Sequence, residues 1–170
     1  MATATLFKHK GNWGSETRNH RALRFIETYA NELVADLSLP YSATKYYSPS
    51  CIFFDTTNVT YTGATEIKAW MQQLFSPFDK VEFEGLSFLV IDESDAQGER
   101  PYYTVNAEFM AKYYFKGDLE PVQVPRLFVF TIGKSETEDG FDGLQYVDVK
   151  LYWNTSPVKD EIKRRSQLAV

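Results

Sequence analysis

Apolar residues recur at the spacing of one helix face early in the chain, at Ala22, Ile26, Tyr29, Leu33 and Leu37. Ser15 offers an N-cap before this run, and Pro40 ends it because proline cannot continue a helix. The pattern predicts a long amphipathic helix over 16–37. One or two further helical turns are predicted within 41–47.

A second helical pattern lies between Gly63 and Pro77. Its apolar positions match the helical template throughout and are Ile67, Trp70, Met71, Leu74 and Phe75. We predict a third helix here.

The remaining segments alternate or are rich in β-branched and aromatic residues, which is typical of strands. CIFFDTT and NVTYTG predict a hairpin, and four longer strands are predicted at 81–92, 102–116, 122–132 and 144–153. Helices followed by antiparallel strands indicate an α+β fold, with three N-terminal helices on the concave face of a curved, mostly antiparallel six-stranded sheet.

One domain is predicted over 15–157. Residues 1–14 show no periodicity and are expected to form an arm that becomes ordered only by docking, whereas 158–170 form a charged tail.

The order of these elements, together with the segment YYSPSCIFFDTTNVTYTGATEIKAWM, resembles the NTF2-like superfamily. SnoaL-like polyketide cyclases, scytalone dehydratase and ketosteroid isomerase belong to that group. The resemblance implies a cone-shaped domain with a ligand cavity on the concave face and, often, a dimer interface on the convex face.

The composition of the chain argues against several classes of function. The 170 residues carry a net charge of -5, with 18 Lys and Arg against 23 Asp and Glu, so a nucleic-acid partner is not expected. No apolar run approaches the roughly 20 residues of a membrane-spanning helix, and the start lacks a signal-peptide pattern, so we expect a cytoplasmic protein without a membrane partner. One cysteine and two histidines predict no metal site.

Aromatic residues make up 16% of the chain, more than one small core needs. Aromatic side chains also line ligand pockets and interfaces between subunits. This excess favours a pocket for a hydrophobic small molecule.

Asp55 is the sharpest candidate for chemistry because it directly follows Ile52, Phe53 and Phe54. A carboxylate in apolar surroundings binds a proton more readily than one in water. The alternative is a turn-forming Asp beside Thr56 and Thr57. By resemblance, Asp55 matches the position of the general base of ketosteroid isomerase.

Arg126 shares a strand face with the apolar residues Val124 and Phe128, so its charge needs a partner. The partner is either a ligand anion or a carboxylate on a neighbouring strand, Asp148 or Glu108. Ketosteroid isomerase has an acidic group at about this position, so the resemblance does not extend to its substrate class.

Strand 144–153 alternates between a polar face, with Asp148, Lys150 and Tyr152, and an apolar face, with Val147, Val149, Leu151 and Trp153. Patterning alone turns the polar face to water. The resemblance instead places the polar face inside and makes the apolar stripe the convex interface of a homodimer. We expect the second arrangement, with Asp148 as a second catalytic candidate.

The further substrate contacts are assigned to Tyr29, Trp70, Phe109, Tyr113, Phe128, Lys150 and Tyr152. By resemblance, Tyr29 lies near the phenolic hydrogen-bond donor of ketosteroid isomerase. Packing in the core is the alternative for Tyr29 and Trp70. Phe109 and Tyr113 belong to the alternating set Ala107, Phe109, Ala111, Tyr113 and Phe115, which we assign to the cavity.

The sequence therefore predicts a SnoaL-like cyclase, isomerase or dehydratase that needs no cofactor and acts on a hydrophobic polyketide- or terpenoid-like metabolite. Asp55 or Asp148 supplies acid/base catalysis, Arg126 stabilises an anion, and Tyr29 and Tyr113 orient the substrate. The alternative is a non-catalytic dimeric binding or scaffold protein, because a fold alone does not establish an activity.

Overall fold

The computed structural model describes residues 4–35 and 42–168. Within them the strands are β1 (Thr5–Lys10), β2 (Tyr47–Asp55), β3 (Val59–Thr62), β4 (Phe78–Asp92), β5 (Tyr102–Phe115), β6 (Val122–Lys134) and β7 (Leu144–Trp153). The helices are α1 (Ser15–Asn19), α2 (Arg21–Ala35), α3 (Ala64–Phe75) and α4 (Ser156–Leu168), and 3-10 turns span Ala43–Lys45 and Phe141–Gly143.

The seven strands form one sheet in the order β1-β4-β5-β6-β7-β2-β3. Every neighbouring pair is antiparallel except β2 and β7, which run parallel. The core lies between one sheet face and helices α2 and α3, whose apolar stripes pack against it. The α+β class is confirmed, while the described chain has four helices and seven strands rather than three and six.

The first predicted helix is divided in two. His20 has the extended dihedral angles φ -88° and ψ 119°, which end α1 and start α2 in a new direction. The carbonyl of His20 accepts the N–H of Arg24 at 2.9 Å, so it closes the first turn of α2. Leu37 and Pro40, the predicted end of this helix, lie outside the described residues.

The seventh strand comes from the segment predicted as an arm. Strand β1 pairs with β4 from Thr5 opposite Asp92 to Lys10 opposite Ser87. Phe7 and His9 are half-buried while their neighbours are exposed, so the segment has the period of two of an edge strand. The tail forms α4, whose Val158 is buried against the rest of the chain.

The prediction for the faces of β7 is wrong, because the apolar residues Val149 and Leu151 face the core as the binary pattern alone indicates. An irregularity in the strand adds Tyr146 to the same face. Opposite β6, Thr131 pairs with Asp148 but the next residue, Ile132, pairs with Tyr146, so Val147 is an extra residue in the ladder. A one-residue insertion exchanges the two faces beyond it. Tyr146 is therefore buried, and Val149 and Leu151 are buried as well.

Asp148 and Lys150 lie on the sheet face away from the helices, the convex face, where their side chains are 36% and 50% exposed and their charged atoms lie 3.8 Å apart. Tyr152 is also exposed there. The apolar stripe from which a dimer interface was predicted instead faces the core. Other apolar side chains are exposed across the convex face: Ile52, Leu86, Leu127 and Tyr152.

Strand β5 follows its predicted alternation. Ala107, Phe109, Ala111, Tyr113 and Phe115 are all buried. Aromatic rings also fill the end of the core near the start of β7, where Tyr146 contacts Phe25 at 4.9 Å and Phe130 at 4.9 Å between ring centroids. None of the described helices is long and apolar enough to cross a membrane.

Candidate active site

Asp55 is the last residue of β2 and is only 5% exposed. Its Oδ2 accepts a hydrogen bond from Thr57 Oγ1 at 2.6 Å, and its Oδ1 lies 3.4 Å from the indole Nε1–H of Trp153. The turn into β3 is closed by its backbone carbonyl, which accepts the N–H of Asn58 at 2.9 Å. Side chains therefore hold the carboxylate. Among the hydrogen bonds described, it accepts none from a backbone N–H group of the turn.

A pocket of about 320 Å³ opens beside this carboxylate. Its walls come from the β2–β3 hairpin, α3, the end of β7 and α4, with Tyr61, Trp70, Leu74, Trp153, Val158 and Ile162 among the apolar and aromatic residues that line it. Tyr61 and Trp70 stack at 4.5 Å between ring centroids. The volume falls within the roughly 300–1,000 Å³ range of small-molecule sites.

Arg126 lies on β6, directly opposite Trp153 of β7 in the sheet register, and is only 3% exposed. The guanidinium carbon is 4.2 Å from the centroid of the Trp153 ring and 5.5 Å from that of Tyr113. Both its Nε and its Nη2 are buried, and neither donates a hydrogen bond to any of the described residues. A buried guanidinium surrounded by rings is therefore left with two unused donors.

Trp153 connects the two charged residues. One part of its indole faces Asp55 and the pocket, and its ring also covers Arg126. Tyr113 stacks on the same indole at 6.0 Å, and its hydroxyl has no hydrogen-bond partner in the part of the chain described. Arg126 and Tyr113 thus lie directly behind the pocket wall.

Burial dominates the electrostatics of this cluster. It lowers the pKa of Arg126, although Tyr113, Asp55 and Tyr29 oppose that shift. It raises the pKa of Tyr113 to about 12, with Arg126 opposing and Asp55 adding to the shift. At neutral pH the guanidinium remains charged and the phenol keeps its proton, so the cluster presents a cation and a hydroxyl donor.

The predicted alternative of a structural ion pair for Arg126 is wrong. Asp148 faces the convex side with Lys150, and Glu108 accepts a hydrogen bond from Ser87 Oγ at 2.8 Å. Asp55 interacts with Arg126 electrostatically, yet the two side chains form no ion pair within 4.0 Å.

Comparison of the coordinates with solved structures gives three informative likenesses. A scytalone dehydratase-like protein from Novosphingobium aromaticivorans is 11% identical, with 83% of this chain and 89% of that chain covered and a TM-score of 0.60. The Kfla4162 protein from Kribbella flavida is 16% identical, with 83% and 95% covered and a TM-score of 0.57. Nuclear transport factor 2 from Cryptosporidium parvum is 14% identical, with 84% and 98% covered and a TM-score of 0.52.

The chain has the NTF2-like fold. This confirms the predicted resemblance at the level of the fold, while identities this low leave the chemistry to be argued from the site. No protein-family model and no curated protein matches the sequence.

Within the NTF2-like fold, the predicted site residues separate into three groups. Asp55 and Trp70 line the pocket, and Arg126 and Tyr113 lie behind its wall. Three others are in the core without lining the pocket: Tyr29, whose hydroxyl is 2.5 Å from that of Tyr47, and Phe109 and Phe128, whose centroids are 5.9 Å apart. Asp148, Lys150 and Tyr152 point away from the site.

Sequence reasoning missed Trp153 and helix α4 as parts of the pocket wall. Trp153 belongs to the apolar face of β7, which the resemblance places at the convex interface and the structure turns toward the core. Helix α4 left a weak signal in Val158 and Ile162, which are four residues apart and both line the pocket. No group of three or more His, Cys, Asp or Glu side chains within 4–35 and 42–168 is arranged to hold a metal ion.

Proposed function

We propose that this protein is a cofactor-independent enzyme that moves a proton within a hydrophobic small molecule, with Asp55 as the general base. The observation that carries the proposal is a buried carboxylate lining an apolar pocket. A carboxylate so placed can approach a C–H bond of a molecule bound in the pocket. The NTF2-like fold shared with a scytalone dehydratase-like protein supports chemistry of this kind.

In the proposed reaction, Asp55 removes a proton from a carbon next to a substrate carbonyl. The C–H electron pair forms a carbon–carbon double bond, and the carbonyl π electrons move to its oxygen to give an enolate. Return of the proton from Asp55 to another carbon completes an isomerisation. In a dehydration the β-hydroxyl group takes that proton and leaves as water. In a cyclisation the enolate carbon attacks a second carbonyl, whose oxygen takes the proton. Cyclase, isomerase and dehydratase activities share this first step.

Three groups support the developing charges. Thr57 holds one carboxylate oxygen of Asp55 through its hydroxyl. The positive charge of Arg126 lies directly behind Trp153, where the low dielectric of the site makes its field strong. Tyr113 adds a buried phenolic donor beside the same indole. A polyketide- or terpenoid-like skeleton fits the aromatic walls of the pocket.

The test uses 2-tetralone, a hydrophobic ketone with acidic C–H bonds. Exchange of its C1 hydrogens with D2O is followed by NMR in the presence of the wild-type protein, Asp55→Asn and Asp148→Asn. We expect exchange to fall about 10²- to 10⁴-fold in Asp55→Asn and to remain at the wild-type rate in Asp148→Asn, whose side chain is on the convex face. Equal rates for the wild-type protein and Asp55→Asn would overturn the role of Asp55 as base.

Binding without turnover is the second candidate function. It is favoured by the aromatic rings that fill the interior behind the pocket, among them Phe88, Phe109 and Phe128. In that case 2-tetralone would bind with similar affinity to the wild-type protein and to Asp55→Asn, and neither protein would accelerate the exchange above the rate in buffer.

A further inference from the structure

The two unused donors of Arg126 belong to one edge of its guanidinium. Nε and Nη2 point in nearly the same direction and form the fork that grips the two oxygens of a carboxylate. Arg164 shows this geometry in the same chain, with Nε 2.8 Å from Oε2 and Nη2 2.6 Å from Oε1 of Glu161. At Arg126 the equivalent edge is buried and vacant of protein acceptors in the described structure.

Leaving such an edge unpaired is costly, because a buried donor loses its bonds to water and gains nothing in return. The rings of Phe83, Tyr113, Phe128 and Trp153 surround the guanidinium carbon at 4.2–5.8 Å, and they offer no strong acceptor for its N–H groups. A ligand that supplies two coplanar oxygens would remove this cost.

We propose that the substrate carries a carboxylate, which binds the Nε–Nη2 edge of Arg126 while the hydrophobic body of the substrate occupies the pocket. This inference rests on the proposed small-molecule site and adds its ligand class. The hydroxyl of Tyr113, also without a partner among the described residues, is a further donor beside the guanidinium.

The route to Arg126 passes Trp153, whose indole lies between the guanidinium and the pocket. The hydrogen bond that holds this indole to Asp55 is long, at 3.4 Å, and therefore weak. We infer that Trp153 turns aside when the carboxylate enters. Lys159 of α4 lines the same pocket and places a second positive charge along the route.

The probes for this inference are 2-naphthoate and its neutral counterpart 2-naphthamide, titrated into the full chain by calorimetry. The wild-type protein should bind 2-naphthoate at least about tenfold more tightly than 2-naphthamide, because charge-assisted bidentate bonds form only with the carboxylate. Arg126→Met should remove this preference and leave the affinity for 2-naphthamide within about twofold. Arg164→Met, which changes a surface arginine paired with Glu161, is the matched control and should keep the preference.

Asp55→Asn separates the inference from the proposed function. It removes a negative charge from the pocket, so 2-naphthoate should bind at least as tightly as to the wild-type protein while 2-tetralone exchange collapses. Equal affinities of the two probes for the wild-type protein would overturn the carboxylate inference and leave the exchange result standing. Persistence of the preference with unchanged exchange in Asp55→Asn would instead overturn only the role of Asp55 as base.

If Arg126→Met does not fold, the affinities of the wild-type protein for 2-naphthoate and 2-naphthamide still test the inference. Arg126→Lys provides a second variant, since it retains the charge and loses the planar fork. We expect it to bind 2-naphthoate with affinity between those of the wild-type protein and Arg126→Met. Unchanged 2-naphthoate binding by Arg126→Lys would contradict bidentate recognition.

Discussion

Two regions of the molecule each contain a buried carboxylate near a guanidinium: the corner between α1 and α2, and the wall of the pocket. The two groups form hydrogen bonds with each other at the corner but not at the pocket. At the corner, Glu27 is buried and accepts three hydrogen bonds from Nε and Nη2 of Arg18, at 2.7–3.1 Å. At the pocket, Trp153 separates Asp55 from Arg126, and the same edge of the guanidinium is not paired.

The difference shows what each arrangement is suited to. A satisfied buried pair contributes to the folded state because neither charge is left without hydrogen bonds. An unsatisfied buried cation lowers stability, and proteins commonly accept such a cost where a ligand later supplies the missing partner. We therefore propose the pocket wall, and not the corner, as the region whose polar groups bind a ligand.

Replacing the guanidinium at each place should change stability in opposite directions, and this is the largest effect we expect. Arg126→Met fills the site with an apolar side chain and should raise the free energy of unfolding by about 1–4 kcal/mol. Arg18→Ala leaves Glu27 buried without its partner and should lower the free energy of unfolding. Urea denaturation measures both changes. A loss of stability in Arg126→Met would show that the guanidinium is paired in solution.

Tyr113→Phe extends the comparison to a neutral group. The Tyr113 hydroxyl is buried without a hydrogen-bond partner in the described structure, so its removal should raise the free energy of unfolding by about 1 kcal/mol. Tyr103→Phe on the same strand is the control, because Tyr103 is also buried but lies beside His20 at the corner, with 6.0 Å between ring centroids. Thermal unfolding followed by circular dichroism should show a higher midpoint only for Tyr113→Phe.

The contribution of the corner to the free energy of unfolding should depend on pH in a range where the contribution of the pocket wall does not. Burial lowers the pKa of His20 below its usual value of 6.5, with Asp92 opposing the shift. Between the lowered pKa and 6.5 the unfolded chain binds a proton that the folded chain does not, so stability falls as pH drops through this window. His20→Gln should flatten the dependence of the unfolding free energy on pH below 6.5. An unchanged slope would show that His20 does not respond to burial in this way.

Substitutions on the convex face should change neither the corner between α1 and α2 nor the pocket wall. This is the smallest effect that we expect at the site. We still propose a homodimer, now through the exposed residues Leu86, Leu127 and Tyr152, which line one shallow depression on that face. Sedimentation should show a dimer at micromolar concentration and a monomer for Leu127→Glu combined with Tyr152→Glu. The double variant should bind 2-naphthoate like the wild-type protein. A monomeric wild-type protein would contradict the interface.

The local pattern of the sequence determined several features of this protein. Helix α3 lies at Ala64–Phe75, within the predicted limits, because its apolar residues form one continuous helical stripe. The alternation along β5 placed Phe109 and Tyr113 inside. The position of Asp55 directly after an apolar strand predicted that it lies in apolar surroundings, and Asp55 is buried. Each of these features depends on residues that are close along the chain.

Contacts between distant parts of the chain decided the other features of the fold and of the site. Packing against the helices decides which face of β7 is buried. The insertion at Val147, defined only by the register between β6 and β7, places Tyr146 on that buried face. The pairing of β1 with β4 supplies a strand from a segment without a strong pattern. Helix α4 and the end of β7 complete a pocket whose remaining walls, the β2–β3 hairpin and α3, come from the distant segment 55–77. Whether Arg126 meets a carboxylate depends on such long-range pairings, since a one-residue shift moves a charge to the opposite face of the sheet.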